Sequence, residues 1–125
     1  MIINLTDLHF TNLSIHNTAK PFENVNMQIS AEHSINVNTE KGTCVSQTSV
    51  SIVPENSAEL DGEFAIRVNA RACFSLDNYS SSDNKDLHVK TIQQVYPYIR
   101  AAVANITSIA GIAPIHMPFL KIPNS

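Results

Sequence analysis

At 125 residues the chain has the length of one domain spanning 1–125, able to bury roughly two thirds of its extended surface in one core without disulfide or metal staples. Charged residues are only 15% and the net charge is −3, with eight Lys and Arg scattered along the chain; nucleic-acid binding therefore lacks its basic footprint. No run approaches the ~20 apolar residues of a membrane span, and the start Met1-Ile2-Ile3-Asn4-Leu5 has no basic segment or sustained apolar run of a secretory signal, so a cytoplasmic protein is expected.

In chain order, Leu8, Phe10, Leu13 and Ile15 predict a first strand of irregular spacing. Ile29, Ala31, Ile35 and Val37 predict a second strand from about Met27 to Val37, after a break at Lys20-Pro21. A third strand is expected over Thr43 to Val53, where Thr48, Val50 and Ile52 alternate with polar residues, following Glu40-Lys41-Gly42. The clearest strand is Phe64 to Phe74: Phe64, Ile66, Val68, Ala70, Ala72 and Phe74 share one face, and Arg67, Asn69, Arg71 and Cys73 the other. That period of two describes an antiparallel sheet covered on one side. Pro54 to Gly62 reads as the turn of a long hairpin between the last two strands.

The period then changes. Asp77 to Asp86 is polar and serine-rich, a flexible connector, and from about Leu87 the apolar residues Ile92, Val95, Tyr96, Ile99, Ala102, Val103, Ile106 and Ala110 fall within a helical arc of about 120°. Pro97 kinks this helix or begins its second half, and Gly111 is placed to end it. Pro114, Pro118 and Pro123 hold the remainder extended, with Ile115, Met117, Phe119 and Leu120 among them. Four strands followed by a helix predict an α+β fold: a four-stranded antiparallel sheet with a long C-terminal helix packed on one face. On the opposite side of the helix, Ala101, Ala104, Asn105 and Ser108 form a small-residue stripe. It suits either a second helix at an oligomer interface or plain helix propensity.

No catalytic constellation emerges, so no enzyme and no cofactor is expected. His9, His16, His33, His88 and His116 show no ligand spacing with each other or with Cys44 and Cys73. The two cysteines are expected to be buried thiols. Glu55, Glu59, Asp61 and Glu63 cluster at the second hairpin turn, as a solvated turn or a docking patch for a basic partner.

Val95-Tyr96-Pro97-Tyr98-Ile99-Arg100 resembles the aromatic-Pro-Tyr-x-Arg segment in the long helix of the SecB family of export chaperones, and Ile112 to Phe119 resembles that family's tail. The strand Phe64 to Phe74 and its connector resemble the last sheet strand before the helix. The resemblance implies a chaperone or holdase that binds unfolded or partly folded proteins by apolar contact and strand-edge hydrogen bonding, without ATP. It also implies self-assembly as a dimer or tetramer, and SecA as a further partner. It describes a short variant without the family's final helix, and the acidic sheet surface that meets SecA is only thinly matched. Tyr96, Tyr98, Met117, Phe119 and Leu120 are the candidate client contacts, since aromatics and methionine suit promiscuous binding. The other reading is a dedicated partner of the same fold, with one fixed client such as an antitoxin or a phage component.

Overall fold

The computed structural model describes residues 1–17, 27–54 and 64–109. Strands β1 (Ile2–Asn17), β2 (Met27–Asn38), β3 (Thr43–Pro54) and β4 (Phe64–Asp77) precede a short 3-10 turn, Ser81–Asp83, and helix α1 (Asn84–Ile109). All pairings are antiparallel and the sheet order is β1-β4-β3-β2, the α+β arrangement expected. The β4 alternation holds: Ile66, Val68, Ala70, Ala72 and Phe74 are all buried. Cross-strand partners share a face, so the register extends that covered layer to Cys44, Ser46, Thr48, Val50 and Ile52 of β3 and to Ile29, Ala31, His33, Ile35 and Val37 of β2.

The irregular spacing in β1 has a specific cause. The register against β4 slips between Leu5 and Asp7 and again between Phe10 and Asn12. Each bulge absorbs one residue, so Ile3, Leu5, Leu8, Phe10, Leu13 and Ile15 all stay opposite residues of the covered face of β4. The residues absorbed are Thr6 and Thr11. Thr6 donates its hydroxyl to the Cys73 carbonyl at 3.0 Å, and Thr11 donates to the Asn69 carbonyl at 3.3 Å. Thr6→Ala with Thr11→Ala is expected to cost about 1–2 kcal/mol in urea unfolding, while the Ser replacements, which keep both hydroxyls, recover most of it.

Turn chemistry holds the far end of the sheet. Gly42 adopts a φ of +62°, which favours glycine, and its carbonyl accepts from the Leu76 amide at 2.8 Å. β4 therefore continues to Asp77, with Leu76 opposite Ile3, and the stretch expected as a connector, Asp77 to Asp86, includes the 3-10 turn and the start of α1. The Asp83 carboxylate accepts from the Ser80 amide at 3.0 Å, capping the turn that leads into α1.

The helix packs on β1, β2 and β4 and buries Leu87, Thr91, Ile92, Val95, Tyr96, Ile99, Val103 and Thr107. It runs through Pro97. Pro97 and Gln93, whose carbonyl loses its helical donor, are both exposed residues. Cys44 is buried as expected. Burial pushes its thiol up in pKa, partly offset by a backbone hydrogen bond with Asn36, so it stays protonated. Cys73 is a correction: it is only half-buried, because odd-numbered positions of β4 face away from the helix.

Candidate functional site

The chemistry-bearing positions divide between the two faces of the sheet. On the outer face, opposite the helix, the register brings Arg67 beside Ser51 and Ser14, Arg71 beside Gln47 and His9, and Asn69 beside Ser49 and Asn12. Among the described strand residues Asp7, Glu32 and Asp77 are the carboxylates of this face, and Asp7 pairs with His9 at 2.7 Å. A depression of about 270 Å³ is lined here by Ser30, Glu32, Ser49, Ser51, Arg67 and Asn69. Among the described residues the face is polar and of mixed sign, with Arg67 and Arg71 set among these carboxylates.

The helix side is different. Among the described strands β1 and β2 are the sheet edges, and each leaves a row of backbone amides and carbonyls outside the ladder. Large apolar side chains beside these edges are only partly covered. Phe10 is 39% and Leu13 43% exposed on β1, and Ile29 is 36% exposed on β2. β1 is twisted by its two bulges, whereas β2 pairs with β3 residue for residue from Met27 to Asn38. It is the smoother edge.

The sequence-predicted contacts part company. Tyr98 projects from the helix at 51% exposure, whereas Tyr96, two residues earlier, is 7% exposed and belongs to the core. Burial pushes the Tyr96 hydroxyl up in pKa, and the Arg100 guanidinium partly offsets this. Only Tyr98 of the two offers its ring to a partner. Met117, Phe119 and Leu120 lie outside the described residues, as does the acidic cluster from Glu55 to Glu63. On the stripe, Ala101, Asn105 and Ser108 are exposed and Ala104 is half-buried.

One group escapes sequence reasoning as part of a constellation. His33 sits on the covered face of β2, opposite Thr48, and its ring lies between two threonines. Thr91 donates its hydroxyl to the His88 carbonyl at 3.0 Å. Its oxygen is then left to accept from Nε2–H of His33 at 2.9 Å, and the bare Nδ1 accepts from Thr48 at 2.7 Å. The His88 ring meets His33 edge-on with centroids 4.8 Å apart. Burial first, and the nearby His88 second, lower the His33 pKa to about 4. Both ring nitrogens of His33 are thus engaged by hydroxyls, and among the described residues no three His, Cys, Asp or Glu converge as a metal site would need. One turn along from Thr91, the Gln94 side-chain amide donates to the Ile3 carbonyl of β1 at 3.4 Å. A single stretch of helix therefore ties down both edge strands.

No protein-family model and no curated protein matches the sequence. Solved structures do match in fold. The chain is similar to the SecB-like chaperone Rv1957 of Mycobacterium tuberculosis, solved in complex with a ChAD peptide from the antitoxin HigA1, Rv1956. The TM-score is 0.74 at 16% identity, over 97% of this chain and 92% of that one. A protein of unknown function from Streptococcus agalactiae aligns at a TM-score of 0.48 and 12% identity, over 95% of this chain and 98% of that one, too distant to carry an argument.

Proposed function

We propose that this chain, whose fold is SecB-like, is a chaperone that holds unfolded or partly folded polypeptides in the cytoplasm without ATP. The carrying observation is that both open edges have partly uncovered apolar side chains on the helix side of the sheet: Ile29 on the smooth edge β2, and Phe10 and Leu13 on β1. An extended client segment hydrogen-bonds to such an edge through its backbone, which is sequence-tolerant, and sets alternate apolar side chains against the helix side. Binding the unfolded state shifts the folding equilibrium of the client by mass action and keeps it soluble. No step calls for a nucleophile or a cofactor. The test is suppression of aggregation of a reduced, refolding client. Protection at stoichiometric chaperone is expected, and none at any ratio would sink the holdase reading.

Within this reading Tyr98, Met117, Phe119 and Leu120 are client contacts. Tyr98→Ser is expected to leave the melt almost unchanged, since the ring is largely exposed, while weakening client affinity by about ten- to a hundredfold, the loss of one large apolar contact. Met117→Ser with Phe119→Ser removes two, a factor of hundreds or more in Kd. Titration and melting on the same sample separate the two effects: a fall in stability with affinity per folded molecule preserved would assign those residues to the core.

A dedicated partner with one fixed client is the second reading. It is favoured by the fold neighbour, which holds a peptide from one antitoxin. A pull-down returning one protein at high yield, rather than many at low yield, separates it from a general holdase. SecA is the less supported partner, because the described outer sheet face carries Arg67 and Arg71 among its carboxylates and is of mixed sign rather than acidic.

A further inference from the structure

We infer that His33 and His88 form a proton-operated latch between edge strand β2 and helix α1, whose protonation loosens the helix from that strand and so regulates the client edge. The regulatory clause rests on the chaperone reading; the latch itself does not.

The geometry is that of a tie with one weak setting. His33 spans from Thr48 on β3 to Thr91 on α1 through its two ring nitrogens, at 2.7 and 2.9 Å. The neutral ring fits this pattern best. Nδ1 must accept from Thr48, and Thr91 already spends its one hydroxyl hydrogen on the His88 carbonyl. A proton added at Nδ1 turns that nitrogen into a donor facing a donor, and Thr48, which is buried from water, must turn its hydroxyl hydrogen away from the ring. The second ring adds to the cost, since His88, with its centroid 4.8 Å away, disfavours a positive charge on His33.

Among the described residues no counter-charge faces the ring. Among the described residues, the titratable group facing His33 from the helix is His88. Asp86 is paired with Lys90 at 3.0 Å. Thr48 of β3 and Ala70 of β4, in the same cross-strand row, carry no charge. Glu32, next to His33 in the strand, points to the other face of the sheet.

Linkage gives the sign and the size. The His33 pKa is about 4 in the latched state against 6.5 for the ordinary group, so the unlatched state binds more protons between those values. The latch is fully engaged above pH 6.5 and is lost as the pH falls toward 4. With the released ring at its ordinary value, the opening equilibrium rises about thirtyfold between pH 8 and pH 5.

The test is amide hydrogen exchange at constant ionic strength, corrected for intrinsic rate, on the whole chain at pH 8 and pH 5. Exchange within 28–38 and 87–95 is expected to rise about thirtyfold relative to Ile66–Phe74 of β4. His33→Gln, which does not titrate, is expected to abolish the rise. His88→Gln, at an exposed position, keeps the test decisive if His33→Gln does not fold; it should reduce the rise. No rise in the wild type, an equal rise in β4, or a rise unchanged in either variant overturns the latch. Affinity for a permanently unfolded reduced client, measured on the same samples, reads the second clause. Local opening with unaltered affinity overturns the regulation and leaves the latch. Aggregation suppression at pH 8 tests the chaperone reading independently of both.

Discussion

Replacing Val68 with Asp is expected to unfold the protein, whereas Asn69→Asp, one residue along, is expected to shift the melt little. Val68 is fully buried on β4, an interior strand of the sheet, with Val50 of β3 and Leu13 of β1 as its cross-strand neighbours. None of these side chains offers a hydrogen-bond donor. An unpaired carboxylate there costs several kcal/mol, comparable to the entire stability of ~5–15 kcal/mol for a domain. Asn69 faces the outer side, opposite Ser49 and Asn12. Arg67 and Arg71 lie two residues away on the same side of the strand, where a new carboxylate is welcome, and the change should stay within about 1 kcal/mol. Thermal and urea melts of the two variants decide it, and equal tolerance would mean that the sheet faces are exchanged.

That contrast is legible in the amino-acid pattern alone, because a strict period of two in β4 admits one assignment of faces. The less regular elements show where sequence reasoning stops. In β1 the apolar residues step by two and three alternately, and the threes are bulges at Thr6 and Thr11. A pattern count registers these as noise, although a threonine in each long step is an available signal. The end of β4 is hidden from the sequence because its last pairs depend on Gly42 and Ile3, which are distant along the chain. A helix arc drawn from apolar residues alone omits the polar Thr91 and Thr107, both buried. Thr107 reaches its place in the core by turning its hydroxyl back on the helix, donating to the Val103 carbonyl at 2.9 Å.

The histidine pair is half visible. Ile29, Ala31, Ile35 and Val37 leave a gap at position 33, and a polar residue in the gap of an apolar strand face must find partners inside the fold. The gap does not show that the partners are Thr48, fifteen residues on, and Thr91, fifty-eight residues on. Of the candidate client contacts, Tyr96 and Tyr98 are indistinguishable by residue type. Their angular separation of about 200° on a helix sends one ring into the core and the other to solvent.

Ala104→Arg is expected to abolish assembly while leaving the protomer folded. The stripe of Ala101, Ala104, Asn105 and Ser108 lies away from the buried arc of α1, with three of the four exposed and Ala104 half-buried. Its side chains are small enough for a second helix to approach at an axis spacing of roughly 8–10 Å. An arginine at that distance has no room, and its charge, desolvated without a partner, costs several kcal/mol of association. The fold should be indifferent to it. Arginine is itself a good helix former, and the Ala104 carbonyl, which accepts from Thr107 at 3.0 Å, is backbone and unaffected. Sedimentation of the variant beside the wild type is expected to show a fall to protomer mass with an unchanged melt. Unchanged mass and unchanged melt together would mean that the small residues serve helix formation alone, and that any assembly of this chain uses another surface, with the open edge of β1 the next to test. A lowered melt with unchanged mass would place Ala104 against the protein's own core instead.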